Sequence, residues 1–260
     1  MSIDKSIFLK KYYEIPEKTS FICPECNEGK LDILEKNVQL VEYNKSNIEA
    51  QKYEDFDIDW LKYSFHGFLV CSNCREKIVF AGKSSVNCRY YFDENDSDSF
   101  SGPDYYNKLE IEYIERPPNI IEINTKLPQE IKELLIESFK LFWIDINSCA
   151  NKIRISLEML MDLFQVKNYR IKNGKRKFLS LHEKICLFSK NDTSLENILI
   201  SIKWIGNYAS HKDKITKADL LDGFYLLEYA LDKIFNNKEK SVLNIAKKIN
   251  KNKKPRSKIK

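Results

Sequence analysis

Histidine is scarce in this sequence of 260 residues: the three that occur lie at positions 66, 182 and 211. They are too scattered to form a His-Glu-x-x-His motif, which argues against an open catalytic zinc site. The seven glycines and seven prolines are also few and dispersed, and they form neither a phosphate-binding loop nor a hinge. No apolar run approaches the ~18 residues that a membrane-spanning helix needs, and the N-terminus lacks the apolar core of a secretory signal. We therefore expect a cytoplasmic protein that does not interact with a membrane.

The formal net charge of +5 is distributed unevenly along the chain. Residues 236–260 contain ten Lys or Arg and one Glu, a balance of +9, which leaves the rest of the chain mildly acidic at −4. A lysine-rich tail of this kind is typical of disordered segments, and attraction to nucleic-acid phosphates is its functional interpretation. We therefore predict that residues 238–260 form a basic, disordered tail.

Two Cys-x-x-Cys motifs occur in the N-terminal part, and each lies between two apolar, strand-like segments. The first is formed by Cys23 and Cys26, and the second by Cys71 and Cys74. Two such turns can complete a tetrahedral site of four thiolates, which predicts a zinc ribbon. Because this site has no open coordination position, the predicted role of the Zn²⁺ ion is structural. Two unrelated turns and a redox-active pair are the alternatives.

Hydrophobic periodicity divides the chain into a β-rich part and a helical part. Residues 109–114 alternate like a half-buried strand, and the acidic stretch 93–103 before them predicts a solvated loop. Arg116-Pro117-Pro118 is a stiff connector, so we place the domain boundary at 118. Beyond Leu127 the apolar spacing changes to about 3.6, and five amphipathic helices with short links predict an antiparallel bundle over residues 119–237. The predicted fold class is α+β.

Local signals describe three further segments of the chain. Residues 1–20 are compatible with either a helix or a strand. The third helix of the predicted bundle has an apolar stripe that starts at Phe178, directly after the basic turn Lys172–Lys177. The fifth begins at Thr216, whose spacing to Asp219 resembles a capping box.

The fourth predicted helix carries a polar face beside its apolar stripe. Lys203, Asn207 and His211 are each four residues apart, so their side chains shift by only about 40° per step around the helix. A cation, an amide and an imidazole are costly to bury without a purpose. This face is therefore the candidate functional site, although a histidine near a helix end can also serve as a simple cap.

The helical part resembles the domain-of-unknown-function 4145 group, which belongs with the HEPN helical domains of prokaryotic defence and toxin systems. The resemblance extends from Arg116 to about Asn237. It depends on Leu127-Pro128-x-x-Ile131, on Ala150-x-x-x-Arg154-x-x-Leu157-Glu158, on Ile202-Lys203-x-x-Gly206-Asn207-x-Ala209-x-His211 and on the closing helix Phe224–Phe235. A zinc ribbon commonly precedes the helical domain in that group.

The resemblance implies a metal-independent ribonuclease that acts as a homodimer through the helical bundle. In this interpretation the RNA 2′-hydroxyl attacks its own phosphate, His211 moves the proton, and Asn207 orients His211. The ribonuclease motif has arginine directly before the asparagine, where this chain has Gly206, and Lys203 stands where the related group usually has arginine. Arg154, followed one turn later by Glu158, is the alternative source of a guanidinium.

Two interpretations of the function remain. The first is an RNA-cleaving effector of a defence or toxin–antitoxin system, with Arg154 and Lys203 on the phosphate and the basic tail assisting RNA capture. The second is a non-catalytic module that binds a nucleic acid or a partner defence protein, with the zinc ribbon as its docking element. Gly206 and Lys203 in the motif favour the second interpretation, and the alignment of Asn207 with His211 favours the first. Arg154 and Glu158 are equally compatible with a plain i,i+4 ion pair on the surface.

Overall fold

The computed structural model describes residues 4–53, 57–93, 96–210, 215–236 and 238–253. The chain forms two compact units. Of the described residues, one unit comprises those up to Ile120 together with Phe139–Ile146, and the other comprises Ile121–Ser138 and those from Asn147 onward. The first unit is built on a sheet and the second on helices, which agrees with the predicted α+β class.

The sheet unit contains five antiparallel strands, each paired with the next along the chain. They are β1 (Glu17–Ile22), β2 (Lys30–Glu42), β3 (Lys62–Cys71), β4 (Lys77–Asp93) and β5 (Asp96–Ile114). The strands expected on both sides of each Cys-x-x-Cys turn are confirmed. Helix α1 (Ser6–Leu9) precedes β1, so the N-terminal segment that allowed either helix or strand contains both. Helix α2 (Asn44–Lys52) and a 3-10 helix (Ile58–Trp60) lie between β2 and β3.

Alternation along the strands builds the core of the sheet unit. In β3, for example, Phe65 is 2% exposed, whereas Phe68 on the opposite face is 42% exposed. The C-terminal half of helix α3 (Gln129–Ile144) completes this core, because the ring of Phe142 lies 6.0 Å from that of Phe8. Burial of these aromatic side chains is a principal source of stability for the unit.

The prediction of a loop over residues 93–103 is wrong. Residues from Asp96 onward continue β5, and the backbone pairs with β4 at Tyr90 opposite Pro103 and at Phe92 opposite Phe100. Residues 94 and 95 lie outside the described part of the chain. Serine and aspartate are poor strand formers, but the backbone hydrogen bonds of an antiparallel ladder do not depend on the type of side chain. The acidic, serine-rich composition therefore did not predict that this segment pairs with β4.

The helical unit includes the N-terminal half of α3 and the elements that follow. These are α4 (Ile146–Leu163), β6 (Tyr169–Lys172), β7 (Lys175–Phe178), α5 (Leu181–Phe188), α6 (Thr193–Ser210), α7 (Lys217–Phe235) and α8 (Lys238–Asn252). The predicted capping box is confirmed: the Thr216 hydroxyl accepts from the Asp219 amide at 3.2 Å, and the Asp219 carboxylate accepts from the Thr216 amide at 2.8 Å. The apolar stripes of α4, α6 and α7 are buried as expected.

Two features of this unit differ from the predictions. Phe178 is not part of a helical stripe, because it ends β7 with 77% of its surface exposed, and α5 begins only at Leu181. The tail predicted to be disordered instead forms helix α8 as far as Asn252. Val242, Ile245, Ala246 and Ile249 have the spacing of one helical face, and the large apolar side chains among them, including Val242 and Ile249, stay exposed in α8. Among the described helices, none combines the length and apolarity needed to cross a bilayer.

Candidate metal centre and polar face of helix α6

The four cysteines of the two motifs meet at one end of the sheet unit. Cys23 directly follows β1, Cys71 ends β3, and Cys26 and Cys74 lie in the turns after them. All four sulfur atoms lie within 4.8 Å of one another. The Cys23 and Cys74 sulfurs are 3.9 Å apart, and the Cys26 and Cys71 sulfurs are 3.6 Å apart. The structure thus brings together all four residues predicted to hold a metal.

The two cysteine turns have the same backbone form. The residue after the second cysteine is left-handed in both, with φ of 55° at Asn27 and 65° at Arg75. Hydrogen bonds join the turns across the strands: the Ser72 amide donates to the Lys30 carbonyl at 2.8 Å, and the Lys30 amide donates to the Ser72 hydroxyl at 2.9 Å. The register of β2 with β3 therefore determines the distance between the two sulfur pairs.

Backbone amides point at the sulfurs. The Gly29 amide donates to Cys26 Sγ at 3.4 Å, and the Asn73 amide donates to Cys71 Sγ at 3.4 Å. Such bonds favour the thiolate over the thiol. The amides of Gly29 and Glu28 accordingly lower the pKa of Cys26 to about 6. This prepares the sulfur for a metal ion, which binds the deprotonated form.

The geometry of the four sulfurs fits a tetrahedral metal ion. Zn–S bonds of about 2.3 Å require sulfur–sulfur distances of about 3.8 Å in a tetrahedron, close to the two distances above. Burial raises the pKa of Cys23. The Glu76 amide lowers the pKa of Cys74, but burial and the neighbouring sulfurs outweigh it and raise that pKa to about 12. Four adjacent sulfurs cannot all ionise without a cation among them, and the cluster could hold a metal ion.

Gly29 is a residue of this site that the sequence analysis did not single out. A Cβ at Gly29 would overlap Cys71 Sγ and would lie 2.7 Å from Asn73 Cβ and 2.8 Å from the Asn73 nitrogen. A side chain here would therefore push the two turns apart. The available signal was a glycine three residues after the second cysteine of the first motif.

The polar face of helix α6 is described only in part. His211 lies outside the described residues, and α6 is described as far as Ser210. Asn207 is half-buried, whereas Lys203 is only 6% exposed. The Lys203 ammonium lies 3.6 Å from the centroid of the Trp204 ring, and burial lowers the pKa of Lys203. A buried ammonium of this kind is poorly placed to contact a phosphate in solution.

Helix α4 lies in close contact with α6 at Gly206. A Cβ on Gly206 would lie 2.5 Å from the Arg154 Cβ and 3.0 Å from the Ala150 carbonyl oxygen. The glycine that departs from the ribonuclease motif therefore has a packing role, since any side chain would strike α4. Arg154 itself pairs with Glu158 at 2.7 Å, and their side chains are 28% and 39% exposed. The predicted i,i+4 ion pair is present, and it lies on the helix that packs against position 206.

Comparison with known protein families separates the same two parts of the chain. Residues 136–252 match the model of a domain of unknown function, DUF4145. This confirms the resemblance of the helical part to that group. Residues 11–109 match the model of a second domain of unknown function, DUF8608, which contains all four clustered cysteines and which the sequence analysis did not anticipate. No curated protein and no solved structure matches the chain.

The DUF4145 region contains Arg154, Glu158, Lys203, Asn207 and His211. Within it the structure brings Arg154 against Gly206, one residue before Asn207. Lys203 lies one turn before Asn207 on α6 and is buried.

Proposed function

We propose that the helical unit is a metal-independent endoribonuclease of a prokaryotic defence or toxin system and acts as a homodimer. The RNA 2′-oxygen forms a bond to the adjacent phosphorus while the bond to the 5′-oxygen breaks, leaving a 2′,3′-cyclic phosphate and a 5′-hydroxyl. His211 takes the proton from the 2′-hydroxyl and delivers a proton to the departing 5′-oxygen, because an ordinary imidazole exchanges protons near neutral pH, and Asn207 orients His211. Arg154 stabilises the negative charge that develops on the phosphate.

The contact between Gly206 and Arg154 carries this proposal. The ribonuclease motif has arginine where this chain has glycine, and the missing side chain leaves the space into which Arg154 projects from helix α4. The base of the Arg154 side chain thus lies against Gly206, the residue before Asn207, and comes from a different helix. The Arg154 guanidinium donates to the Glu158 carboxylate, which limits its freedom before substrate arrives. We therefore expect Arg154, and not the buried Lys203, to contact the RNA phosphate.

The test compares cleavage of a labelled RNA by the wild-type chain, His211→Ala and Arg154→Ala, without added divalent ions. His182→Ala is the matched control, because His182 is exposed on α5. We expect both site variants to lose cleavage, the control to retain it, and the products to carry 2′,3′-cyclic phosphates. Replacing the scissile 2′-hydroxyl with hydrogen should block the reaction. Equal cleavage by the wild-type chain and His211→Ala would refute the catalytic proposal.

A second function, binding without catalysis, is favoured by the two cations of the site. Lys203 is buried, and Arg154 already has a carboxylate partner in Glu158. In this alternative the unit recognises a nucleic acid or a partner defence protein. It predicts that the wild-type chain binds RNA but does not cleave it, and that His211→Ala leaves the affinity unchanged.

For the sheet unit we propose a structural Zn²⁺ ion held by Cys23, Cys26, Cys71 and Cys74. Four thiolates are the ligand set of closed, structural zinc sites, and the sulfur–sulfur distances support it. Metal analysis of the purified protein should find about one zinc per chain, and Cys26→Ser should lose it and destabilise the sheet unit. Cys88→Ser is the control, since Cys88 lies outside the cluster. A wild-type chain that folds without metal would refute this proposal.

A further inference from the structure

The hairpin of strands β6 and β7 presents an unusual surface. Its turn is Asn173–Gly174, with φ of 52° and 71°, the left-handed pair that suits a two-residue hairpin. All ten residues from Tyr169 to Phe178 are exposed. Between Leu163 and His182 the chain has six Lys or Arg and no Asp or Glu. We call residues 169–178 the basic ribbon.

The register of the basic ribbon separates its side chains onto two faces. Residues directly opposite each other on paired strands share a face. Arg170 pairs with Lys177 and Lys172 pairs with Lys175, so one face consists of four cations. Like charges directly opposite each other destabilise a hairpin, and a two-stranded ribbon has little stability to spare. The opposed like charges therefore do not stabilise the pairing of the two strands.

The other face of the basic ribbon is aromatic and apolar. It carries Tyr169 opposite Phe178 and Ile171 opposite Arg176. Phe178 is 77% exposed and Ile171 is 73% exposed, although apolar side chains of this size normally seek burial. The Arg176 guanidinium lies 4.8 Å from the centroid of the Tyr169 ring, which extends the flat surface.

The ribbon is fixed to the helical unit at its base. The Leu179 amide donates to the Asn168 carbonyl at 2.9 Å, and Arg170 forms a 2.9 Å ion pair with Glu183 of helix α5. Its tip, Lys172-Asn173-Gly174-Lys175, has no apolar side chain. A ribbon that inserts into a lipid surface would carry its apolar residues at the tip, whereas here they include Tyr169 and Phe178 at the base.

We propose that the basic ribbon is a binding surface for single-stranded RNA, with phosphates on its cationic face and unstacked bases on its aromatic face. Cations that follow a backbone and aromatic rings that accept bases are the two components of sequence-tolerant single-strand binding. The choice of RNA rests on the proposed function, while the geometry of the ribbon does not. Arg154 lies about 14 Å from the end of α4 along the helix axis, so the ribbon adds a contact surface outside the proposed cleavage site.

The test measures the affinity of the full-length chain for a fluorescent single-stranded RNA by anisotropy at several salt concentrations. The double variant Lys172→Ala/Lys175→Ala removes two cations at the tip. With a slope of about 0.7 per phosphate contact, we expect a roughly 25-fold loss of affinity at 0.1 M salt and a salt slope lower by about 1.4. Lys18→Ala/Lys36→Ala is the matched control, because both lysines are exposed on strands β1 and β2. It should bind like the wild-type chain.

Phe178→Ala tests the aromatic face separately. Loss of one stacking interaction should weaken binding about fivefold or more, without changing the salt slope. Because Phe178 is largely exposed, the variant should fold normally, which thermal unfolding can verify. If ribbon variants bind RNA as tightly as the control, the inference is refuted. It is also refuted if the ribbon lysines are needed for sedimentation with anionic lipid vesicles but not for RNA binding.

The two proposals fail differently. His211→Ala should retain RNA affinity and lose cleavage, whereas the ribbon variants should lose affinity. A chain that binds RNA through the ribbon but never cleaves it would support this inference and refute the catalytic proposal. If the chain cleaves RNA and binds it equally well with and without the ribbon lysines, the catalytic proposal is supported and the inference about the ribbon is refuted.

Discussion

The close approach of helices α4 and α6 makes Gly206→Ala a demanding test of the helical packing. The new Cβ would lie 2.5 Å from the Arg154 Cβ and 3.0 Å from the Ala150 carbonyl oxygen, whereas carbon atoms in contact prefer about 3.5–4.0 Å. Both atoms belong to the backbone of α4 or are bonded directly to it, so no rotamer change relieves the overlap. The two helices must separate by up to about 1 Å.

The expected magnitude follows from two opposing effects. Overpacking a well-packed contact costs about 1–3 kcal/mol. Alanine is better than glycine in a helix interior by about 1 kcal/mol, which offsets part of that cost. We therefore expect Gly206→Ala to reduce the free energy of unfolding by about 1 kcal/mol.

Gly223→Ala on helix α7 is the matched control. Its Cβ would meet Ile205 Cδ1 at 3.4 Å and Ile205 Cγ2 at 3.6 Å, which is ordinary contact. This variant should therefore gain up to about 1 kcal/mol, so the two alanine variants should differ by about 2 kcal/mol. Urea unfolding followed by far-ultraviolet circular dichroism measures both. If Gly206→Ala is stabilised as much as Gly223→Ala, the close packing of α4 on α6 is refuted.

Three further predictions concern the metal centre, a helix cap and the buried lysine. Gly29→Ala should reduce bound zinc well below one per chain, because its Cβ overlaps Cys71 Sγ, and full zinc content by metal analysis would contradict this. Hydrogen bonds from Thr216 lower the pKa of Asp219, so its stabilising effect exists above the unfolded pKa and is lost as pH falls through the folded one. Asp219→Asn should thus cost about 0.5 kcal/mol at neutral pH and less in acid, as urea unfolding at both pH values would show. Lys203→Met should preserve both stability and RNA affinity, because Lys203 is buried and the proposed site does not use it, and an anisotropy assay showing weaker RNA binding would disprove this.

Local sequence signals predicted the features that depend on neighbouring residues. The capping box at Thr216 and the burial of the α4, α6 and α7 stripes are confirmed, because helix caps and 3.6-residue periodicity are properties of short segments. The Cys-x-x-Cys spacing likewise predicted two turns that could share a metal. The same reasoning failed at residues 93–103 and at Phe178, where hairpin pairing rather than composition determines the structure.

The sequence by itself determined the division into a β-rich and a helical part, the four clustered cysteines and the resemblance of the helical part to DUF4145. Only the tertiary structure decided that Gly206 is a packing contact for Arg154, that Lys203 is buried, and that the ribbon lysines share one face. The reason is physical: residue type and spacing describe what one segment can do alone. Which side chain fills the space beside another segment depends on the register and approach of both, and no single segment specifies that.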